Sequence, residues 1–187
     1  MRYEEGHKAL TRSRILGEAS RRFREEGIAA VGVGNLMGGI GLTQGGFYNH
    51  FASKDELARE ALVTSNGATI RRLASEKDLA GIIDWYLSPA HRDNPGRGCP
   101  AAALAPEIAR GSDLLRDSFT GQLEGTLSLL RSCLPKHLTP AVRKSLAMSL
   151  FASLVGTLSL ARAVNDPAMS SQLLSAGRKT AMAMIPA

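Results

Sequence analysis

Apolar residues recur at helical spacing along most of the chain, and this pattern constrains the fold more than any other feature. The two clearest runs lie in residues 112–133 and 140–164, where leucines follow one another at intervals of three or four. Such spacing places an apolar stripe along one side of an α-helix. Aromatic residues make up only 5% of the 187 residues, whereas strands favour aromatic and β-branched side chains. We therefore predict an all-α protein of about nine helices.

Proline and capping residues indicate where several helices begin. A proline follows Cys99, Thr139 and Asp166, and at the first helical position its missing N–H costs no hydrogen bond. Ser53 and Glu56 have the spacing of a capping box, which predicts a long helix that ends near Ser75.

Two segments are expected to interrupt the helical pattern. Pro106 should bend or restart the helix that follows Ala101, because proline lacks the N–H that an interior helical turn requires. The stretch SPAHRDNPGRG, residues 88–98, has the composition of an irregular loop.

Charge and composition narrow the class of partner. The formal net charge is +6 and the pI is about 9.7, which favours a polyanionic partner, and residues 29–53 contain no acidic side chain. The N-terminus is charged where a secretory signal would be apolar, and the leucine-rich uncharged stretch over residues 146–161 is shorter than the ~20 residues that cross a bilayer. The two cysteines and four histidines show no disulfide or metal-ligand spacing. We expect a soluble cytoplasmic protein without a membrane span, metal or cofactor.

The first 52 residues have the organisation of a helix-turn-helix. A first helix over residues 8–26 stops at Gly27, and a short apolar face at Leu36, Met37 and Ile40 marks a second helix. The sequence Gly41-Leu42-Thr43 then breaks the chain, and the third helix that follows is short enough to enter the major groove of DNA.

The third helix divides into an inner and an outer face. Phe47 and Phe51 are expected to point inward, which leaves the polar residues for DNA. Glutamine and asparagine side chains can each hold adenine by two hydrogen bonds, and Tyr, His, Thr and Lys suit phosphates. Ordinary surface polarity for Gln44 and Asn49, packing between helices for Tyr48 and a capping role for His50 remain alternatives.

The stretch GLTQGGFYNHFASKDEL, residues 41–57, resembles the signature of the tetracycline-repressor (TetR) family of bacterial transcription regulators. The resemblance implies a DNA-binding head over residues 1–52 and a helical effector-binding and dimerisation body over residues 53–187. It implies phosphate contacts from Thr43, Tyr48, His50 and Lys54, base contacts near Gln44, Gly45, Gly46 and Asn49, and flanking backbone contacts from Arg12 and Arg14. Glycines 32, 34, 38 and 39 depart from the family pattern and should weaken the second helix, since each interior glycine costs about 0.5–1 kcal/mol relative to alanine.

The resemblance also implies a repressor that a small-molecule ligand releases from a palindromic operator. Its partners would be double-stranded operator DNA, a second copy of the chain and a small hydrophobic effector. The last two helices suit a homodimer because Ser149, Ser153 and Gly156 permit close approach. A role of these helices as the core of a monomer is the alternative.

The body offers candidate effector contacts, although each could also be ordinary core packing. These are Trp85, Tyr86, Cys99, Leu104, Phe119 and Leu123. Cys99 supports a second hypothesis, an electrophile or redox sensor, because a helix N-terminus and the neighbouring Arg97 would favour its thiolate. A small buried structural residue is the competing interpretation of Cys99.

The remaining function classes have weaker support. Residues 31–39, VGVGNLMGG, have the spacing Gly-x-Gly-x-x-x-Gly, which does not match a dinucleotide-binding loop, and no βαβ unit follows. We find no nucleophile elbow, phosphate-binding loop or convergent set of titratable residues, so we expect no enzyme. A helical ligand-binding protein and a protein-interaction module are the alternatives to a DNA-binding regulator, and steep salt dependence of DNA binding would separate them.

Overall fold

A computed structural model describes residues 2–186 of the chain, and in these residues every regular element is helical. The prediction of an all-α fold is confirmed. There are ten α-helices and one short 3-10 turn, Pro95–Arg97, between α6 and α7. The helices are α1 (Arg2–Glu26), α2 (Val33–Gly39), α3 (Gln44–Phe47), α4 (Lys54–Ala74), α5 (Leu79–Tyr86), α6 (Pro89–Asp93), α7 (Pro100–Ile108), α8 (Asp113–Cys133), α9 (Pro140–Ala163) and α10 (Pro167–Ala183).

One of these ten helices, α6, lies in the segment that we predicted to be an irregular loop. Ser88 is the N-cap of α6 and its hydroxyl accepts a hydrogen bond from the amide of His91 at 3.1 Å. Pro89 takes the first helical position. The loop prediction for residues 88–98 is therefore wrong, since Ser-Pro is itself a helix start.

Two glycines with left-handed backbone set the path of the first three helices. Gly27, with φ of +92°, ends α1 and donates a backbone hydrogen bond to the carbonyl of Phe23 at 2.9 Å. Gly41, with φ of +74°, lies in the turn between α2 and α3. Positive φ is unfavourable for residues with a Cβ, so these two glycines allow the helix-turn-helix to close.

The capping box at the start of α4 forms with one change. The Ser53 hydroxyl accepts from the Glu56 amide at 3.1 Å, as predicted. The Glu56 carboxylate, however, accepts from the amide of Ala52 at 2.7 Å. The box thus fixes the link between α3 and α4 as well as the first turn of α4.

Pro106 lies inside α7 and does not end that helix. Its ring removes the donor that would bond the carbonyl of Ala102, four residues earlier. The hydroxyl of Ser159 on α9 donates to that carbonyl at 2.9 Å. The predicted restart at Pro106 is therefore wrong, because a neighbouring helix supplies the missing hydrogen bond.

Two apolar cores hold the molecule together. One unites α1, α2 and α3 through buried residues such as Ile15, Phe23 and Leu36, and it continues into α4, α7 and the start of α8. The other lies among α5, α8, α9 and α10. Because the first core extends well past residue 52, α4 and α7 belong to the support of the N-terminal helices; the division into 1–52 and 53–187 stays a prediction.

Helix α9 is the central helix of the second core. Its buried residues include Leu150, Leu154 and Leu158, while Leu160 is 58% exposed. By length and composition alone α9 could also cross a membrane, and it is the one helix among residues 2–186 for which this holds. The same apolar character allows α9 to pack against several helices of the body.

Candidate nucleic-acid interface

The short helix α3 rests on two buried phenyl rings. Phe47 and Phe51 are 0% and 1% exposed, and their rings stack with centroids 5.6 Å apart. Helix α3 itself ends at Phe47, and Phe51 follows after one turn. Both rings nevertheless lie in the core shared with α1 and α4, so they fix the orientation of the opposite face of α3.

The opposite face is polar and open to solvent. Thr43, Gln44, Gly45 and Asn49 are exposed, and Tyr48 is 64% exposed with its ring edge-on to Phe47 at 5.2 Å. Thr43 takes the N-cap position without using its hydroxyl as a cap. These groups match the donors and acceptors that read DNA bases and bind phosphates.

The glycines near α3 allow close packing of α2 on α3. A Cβ at Gly34 would lie 3.1 Å from the side-chain oxygen of Gln44, and one at Gly46 would lie 3.9 Å from the terminal methyl of Met37. The Gln44 side chain therefore lies against Gly34 of α2. A side chain at position 34 would crowd Gln44, which explains why glycine replaces the residue of the family pattern there.

Two further predicted residues are more enclosed. His50 is half-buried and its Nδ1 has no hydrogen-bond partner among the described residues. Burial, followed by the charges of Lys8 and Arg12, lowers the pKa of His50. Lys54 is half-buried and donates from Nζ to the carbonyl of Ala29 at 3.3 Å, so its ammonium is anchored beside the head.

The start of α1 adds residues that the sequence reasoning missed. His7, Lys8 and Thr11 line a cleft of about 710 Å³. The other side of the cleft carries Thr43, Gly46, Asn49 and His50. The spacing of residues 7, 8 and 11 on one helical face could have indicated this surface, but nothing in the sequence showed that α1 would lie beside α3.

The two arginines expected at the DNA backbone have internal partners. Arg12 forms a bidentate ion pair with Glu60 of α4, at 2.6 and 2.5 Å, and lies over the Phe51 ring, 4.5 Å from its centroid. Arg14 is exposed and donates to the carbonyl of Ile40 at 2.9 Å. The ion pair is the main cause of the raised pKa of Arg12. Arg12 thus connects α1, α3 and α4 within the head.

The six candidate effector residues do not line one common pocket. Phe119 and Leu123 line a small cavity between α4, α8 and α9, of about 10 Å³, which is close to the space that one water molecule needs. Tyr86 and Cys99 are fully buried in the body core, and Leu104 lies in the other core. Trp85 stacks on His91, with centroids 4.5 Å apart.

A buried polar cluster borders the same small cavity. The Asn66 amide donates to the backbone carbonyl of Gln122 at 3.0 Å, and its oxygen accepts from the Thr126 hydroxyl at 3.3 Å. All three residues line the cavity. The periodicity of α4 and α8 did not separate these polar residues from the helix surface, so sequence reasoning missed them.

The structure does not support an activated thiolate at Cys99. Cys99 is 1% exposed, and burial raises the pKa of its thiol. Its amide donates to Nε2 of His91 at 3.0 Å, while Nδ1 of His91 lies 2.7 Å from the carbonyl of Tyr86. This arrangement requires a neutral His91, and burial lowers its pKa to about 4. The predicted low thiol pKa is wrong, because desolvation outweighs the helix N-terminus.

Residues 2–186 contain no cluster of His, Cys, Asp and Glu that could hold a metal ion.

Comparisons with known proteins agree with this geometry. The family model described as "Bacterial regulatory proteins, tetR family" matches residues 15–61, the segment that carries the second half of α1, all of α2 and α3, and the start of α4. The HTH-type transcriptional repressor DhaR of Mycobacterium sp. (strain GP1) is 22% identical over 147 residues, 75% of this chain and 74% of that protein. The HTH-type transcriptional repressor Rv1474c of Mycobacterium tuberculosis is 33% identical over 90 residues, 48% of each chain.

Solved structures share the fold across nearly the whole chain. A TetR transcriptional regulator from Chloroflexus aurantiacus has a TM-score of 0.78 at 21% identity, covering 98% of this chain and 96% of that one. The reduced form of E. coli NemR has a TM-score of 0.77 at 19% identity, covering 94% and 97%. FadR from Bacillus subtilis in complex with stearoyl-CoA has a TM-score of 0.66 at 14% identity, covering 92% and 97%. The matched segment and the shared fold together show that residues 15–61 carry the sequence of the tetR family of bacterial regulatory proteins, and that the chain has the fold of TetR transcriptional regulators.

Proposed function

We propose that this protein is a cytoplasmic, homodimeric repressor that reads a palindromic operator with α3 and is released by a small effector. The observation that carries the proposal is the two-faced α3, with Phe47 buried beneath it and Tyr48 64% exposed beside Asn49. A helix so supported from behind can enter a major groove without changing its own packing.

The residue roles are those that the family resemblance implies, and exposure supports them for all but the half-buried Gly46, His50 and Lys54. Gln44 and Asn49 would contact base edges, while Gly45 and Gly46 would let the backbone approach the bases. Thr43, Tyr48, His50 and Lys54 would contact phosphates, and His7 and Lys8 on α1 would join them from the other side of the cleft. Lys54 would have to exchange its contact with the carbonyl of Ala29 for a phosphate oxygen.

Selection of random duplex oligonucleotides by the purified protein tests DNA reading directly. We expect a symmetric consensus, because a two-fold dimer presents two copies of α3. Tyr48→Ala should weaken binding to all duplexes and make the salt dependence less steep, whereas Asn49→Ala should change the preferred base. Ser128→Ala, an exposed change on α8, is the control. Absence of any enriched duplex would overturn the proposed DNA reading.

The dimer would form on the outer face of α9 together with α10. Met148 and Leu160 are 43% and 58% exposed on α9, and Met169 is 50% exposed on α10. A Cβ at Gly156 would meet nothing within 4 Å, so this position is open for another helix. Leu160→Glu should produce monomers in sedimentation velocity, whereas the matched change Leu114→Glu, at an equally exposed leucine on α8, should not.

The effector would enter between α4 and α8 by enlarging the small cavity at Phe119 and Leu123. Its lining is apolar apart from the uncharged side chains of Asn66, Gln122 and Thr126, which suits a neutral or long apolar group with one hydrogen-bonding end. The B. subtilis neighbour is a complex with stearoyl-CoA, so one protein of this fold binds a ligand with a long apolar chain.

Helix α4 would carry the signal, since it lines this cavity through Asn66 and begins directly after α3. A compound found by thermal-shift screening should then bind free protein more tightly than operator-bound protein, because coupling between sites is reciprocal. Equal affinity for both forms would contradict release by this compound. Leu123→Ala should alter its affinity, whereas Leu114→Ala, outside the cavity, should leave it unchanged.

A further inference from the structure

A second groove lies where the end of α1 meets the body. It has a volume of about 610 Å³. Its walls come from the end of α1, the α6 segment, the start of α7 and the α9–α10 junction. Three arginines line it: Arg24 from α1, Arg92 from α6 and Arg162 from α9.

Arg24 points into the molecule, unlike its neighbours on α1. It donates to the carbonyl of Gly96 from Nε at 3.1 Å and also from Nη2, and Nη1 donates to the Ser20 hydroxyl at 3.0 Å. These partners are all uncharged. Burial lowers the pKa of Arg24 to about 10 and outweighs the opposite effect of the Glu25 charge, as expected for a cation removed from water without a carboxylate in direct contact.

Arg162 has the same character at the other wall. Nε donates to the carbonyl of Arg92 at 3.0 Å and Nη2 to the carbonyl of His91 at 2.6 Å. Nη1 is buried and has no hydrogen-bond partner among the described residues. Burial likewise lowers the pKa of Arg162. A buried donor without a partner is costly, so this guanidinium retains unused binding capacity.

Neither Arg24 nor Arg162 contacts a carboxylate directly among the described residues. The two acidic residues of the groove each pair with another arginine, Asp93 with Arg92 at 2.7 Å and Glu25 with Arg21 on α1. Arg12 and Arg131, which are also half-buried, each contact a carboxylate directly. The charges of Glu25 and Asp93 act on Arg24 and Arg162 only from a distance, so the groove contains two guanidinium groups without a direct carboxylate partner.

We propose that this groove binds a small anion, a phosphate or carboxylate group of a metabolite, received by Arg24 and Arg162. Guanidinium groups bind both oxyanions through charge-assisted hydrogen bonds. Because Arg24 belongs to α1 and Arg162 to α9, the bound anion ties the DNA-binding head to the body. This site is separate from the effector cavity between α4 and α8, with which it has no residue in common.

Binding is tested on the full chain without DNA. Inorganic phosphate and succinate are titrated by calorimetry and by thermal unfolding, against potassium chloride at equal ionic strength. We expect saturable heat and a rise in Tm with at least one of the two anions, and the better ligand identifies the anion class. Arg24→Gln should lose about tenfold or more in affinity, since a hydrogen bond to a charged group contributes about 1.5–3 kcal/mol.

Matched variants separate the site from general charge effects. Arg22→Gln removes one positive charge from the same helix at a side chain that pairs with Glu26 outside the groove, and it should bind as the unmodified protein does. The second arginine of the site is tested by Arg162→Gln. If that variant fails to fold, Arg24→Lys still gives an interpretable affinity, because it keeps the charge but loses the forked donor. Equal affinity in the Arg22 and Arg24 variants, or no effect beyond that of chloride, would overturn the proposal.

The consequence for regulation rests on the proposed function. The bound anion should change operator affinity, and by reciprocity operator DNA should change anion affinity by the same factor. If the anion binds but operator affinity is unchanged, the regulatory part fails and the site stands. If no duplex binds at all, the proposed repressor fails while calorimetry still decides the anion site.

Discussion

The ion pair between Arg12 and Glu60 offers a test of how the recognition helix is held. The Arg12 guanidinium contacts both carboxylate oxygens of Glu60, covers the Phe51 ring and donates to the carbonyl of His50 at 3.4 Å. Each of the two charged side chains is 34% exposed. The pair therefore joins α1 to α4 directly behind α3, and we expect it to position α3.

The magnitude follows from these contacts. A bidentate ion pair at partial exposure contributes about 1 kcal/mol after solvent screening, and a guanidinium over a phenyl ring contributes about 0.5–1 kcal/mol. Arg12→Gln should therefore lower the free energy of unfolding by about 1–2 kcal/mol, and Glu60→Gln by about 1 kcal/mol. In a double-mutant cycle the two changes should couple by about 1 kcal/mol, because each removes the same ion pair.

DNA binding distinguishes this clamp from a phosphate contact by Arg12. If Arg12 bound a phosphate, Glu60→Gln would release it and tighten DNA binding, and Arg12→Gln would reduce the salt slope by about 0.9. If Arg12 is a clamp, both single variants should weaken binding, by about five- to thirtyfold at most, the loss that corresponds to 1–2 kcal/mol. The salt slope should then stay unchanged.

The measurements are urea unfolding and fluorescence-anisotropy titration of operator DNA over a range of salt. Arg72→Gln is the control, since Arg72 pairs with Glu76 at the far end of α4. A coupling energy below about 0.3 kcal/mol, which is within the additivity of independent sites, or tighter DNA binding by Glu60→Gln would refute the clamp.

Three further predictions concern the body. His91 has a pKa of about 4 in the folded protein and of about 6.5 when unfolded, so the unfolded state binds more protons between these values. The free energy of unfolding should thus fall by about 3 kcal/mol as the pH drops from 6.5 to 4, and His91→Gln should flatten this dependence in urea unfolding at several pH values. Ser159→Ala should cost about 1–3 kcal/mol, because it leaves the carbonyl freed by Pro106 unbonded; adding Pro106→Ala should restore much of the loss in thermal unfolding by returning the missing N–H, and no restoration would contradict this account. Iodoacetamide should modify the exposed Cys133 and spare the buried Cys99 until the protein unfolds, as peptide mass spectrometry would reveal; rapid labelling of Cys99 would contradict the raised thiol pKa.

Local chemistry determined much of the head. Gly27 and Gly41 adopt positive φ, and Ser53 caps α4, because these features depend on residues close in sequence. The apolar spacing of Phe47 and Phe51 likewise predicted which face of α3 is buried, and the structure confirms it. Such features can be read from the chain, since hydrogen bonds and helical periodicity within a few residues decide them.

Tertiary packing decided what lies far apart in sequence. Pro106 stays inside α7 because Ser159, more than fifty residues away, bonds the carbonyl that it frees. Arg12 turns inward because Glu60 lies beside it, although its sequence position equally suited a phosphate. Cys99 loses its expected acidity because the body core encloses it.

The sequence by itself therefore determined the helices, most of their ends and the polar face of α3 that we propose meets DNA. Only the tertiary structure decided which arginines contact a carboxylate and which bond only uncharged groups, as Arg24 and Arg162 do. The physical reason is range: a helix is specified by neighbours within one turn, whereas desolvation and ion pairing depend on whatever the fold brings within a few ångströms.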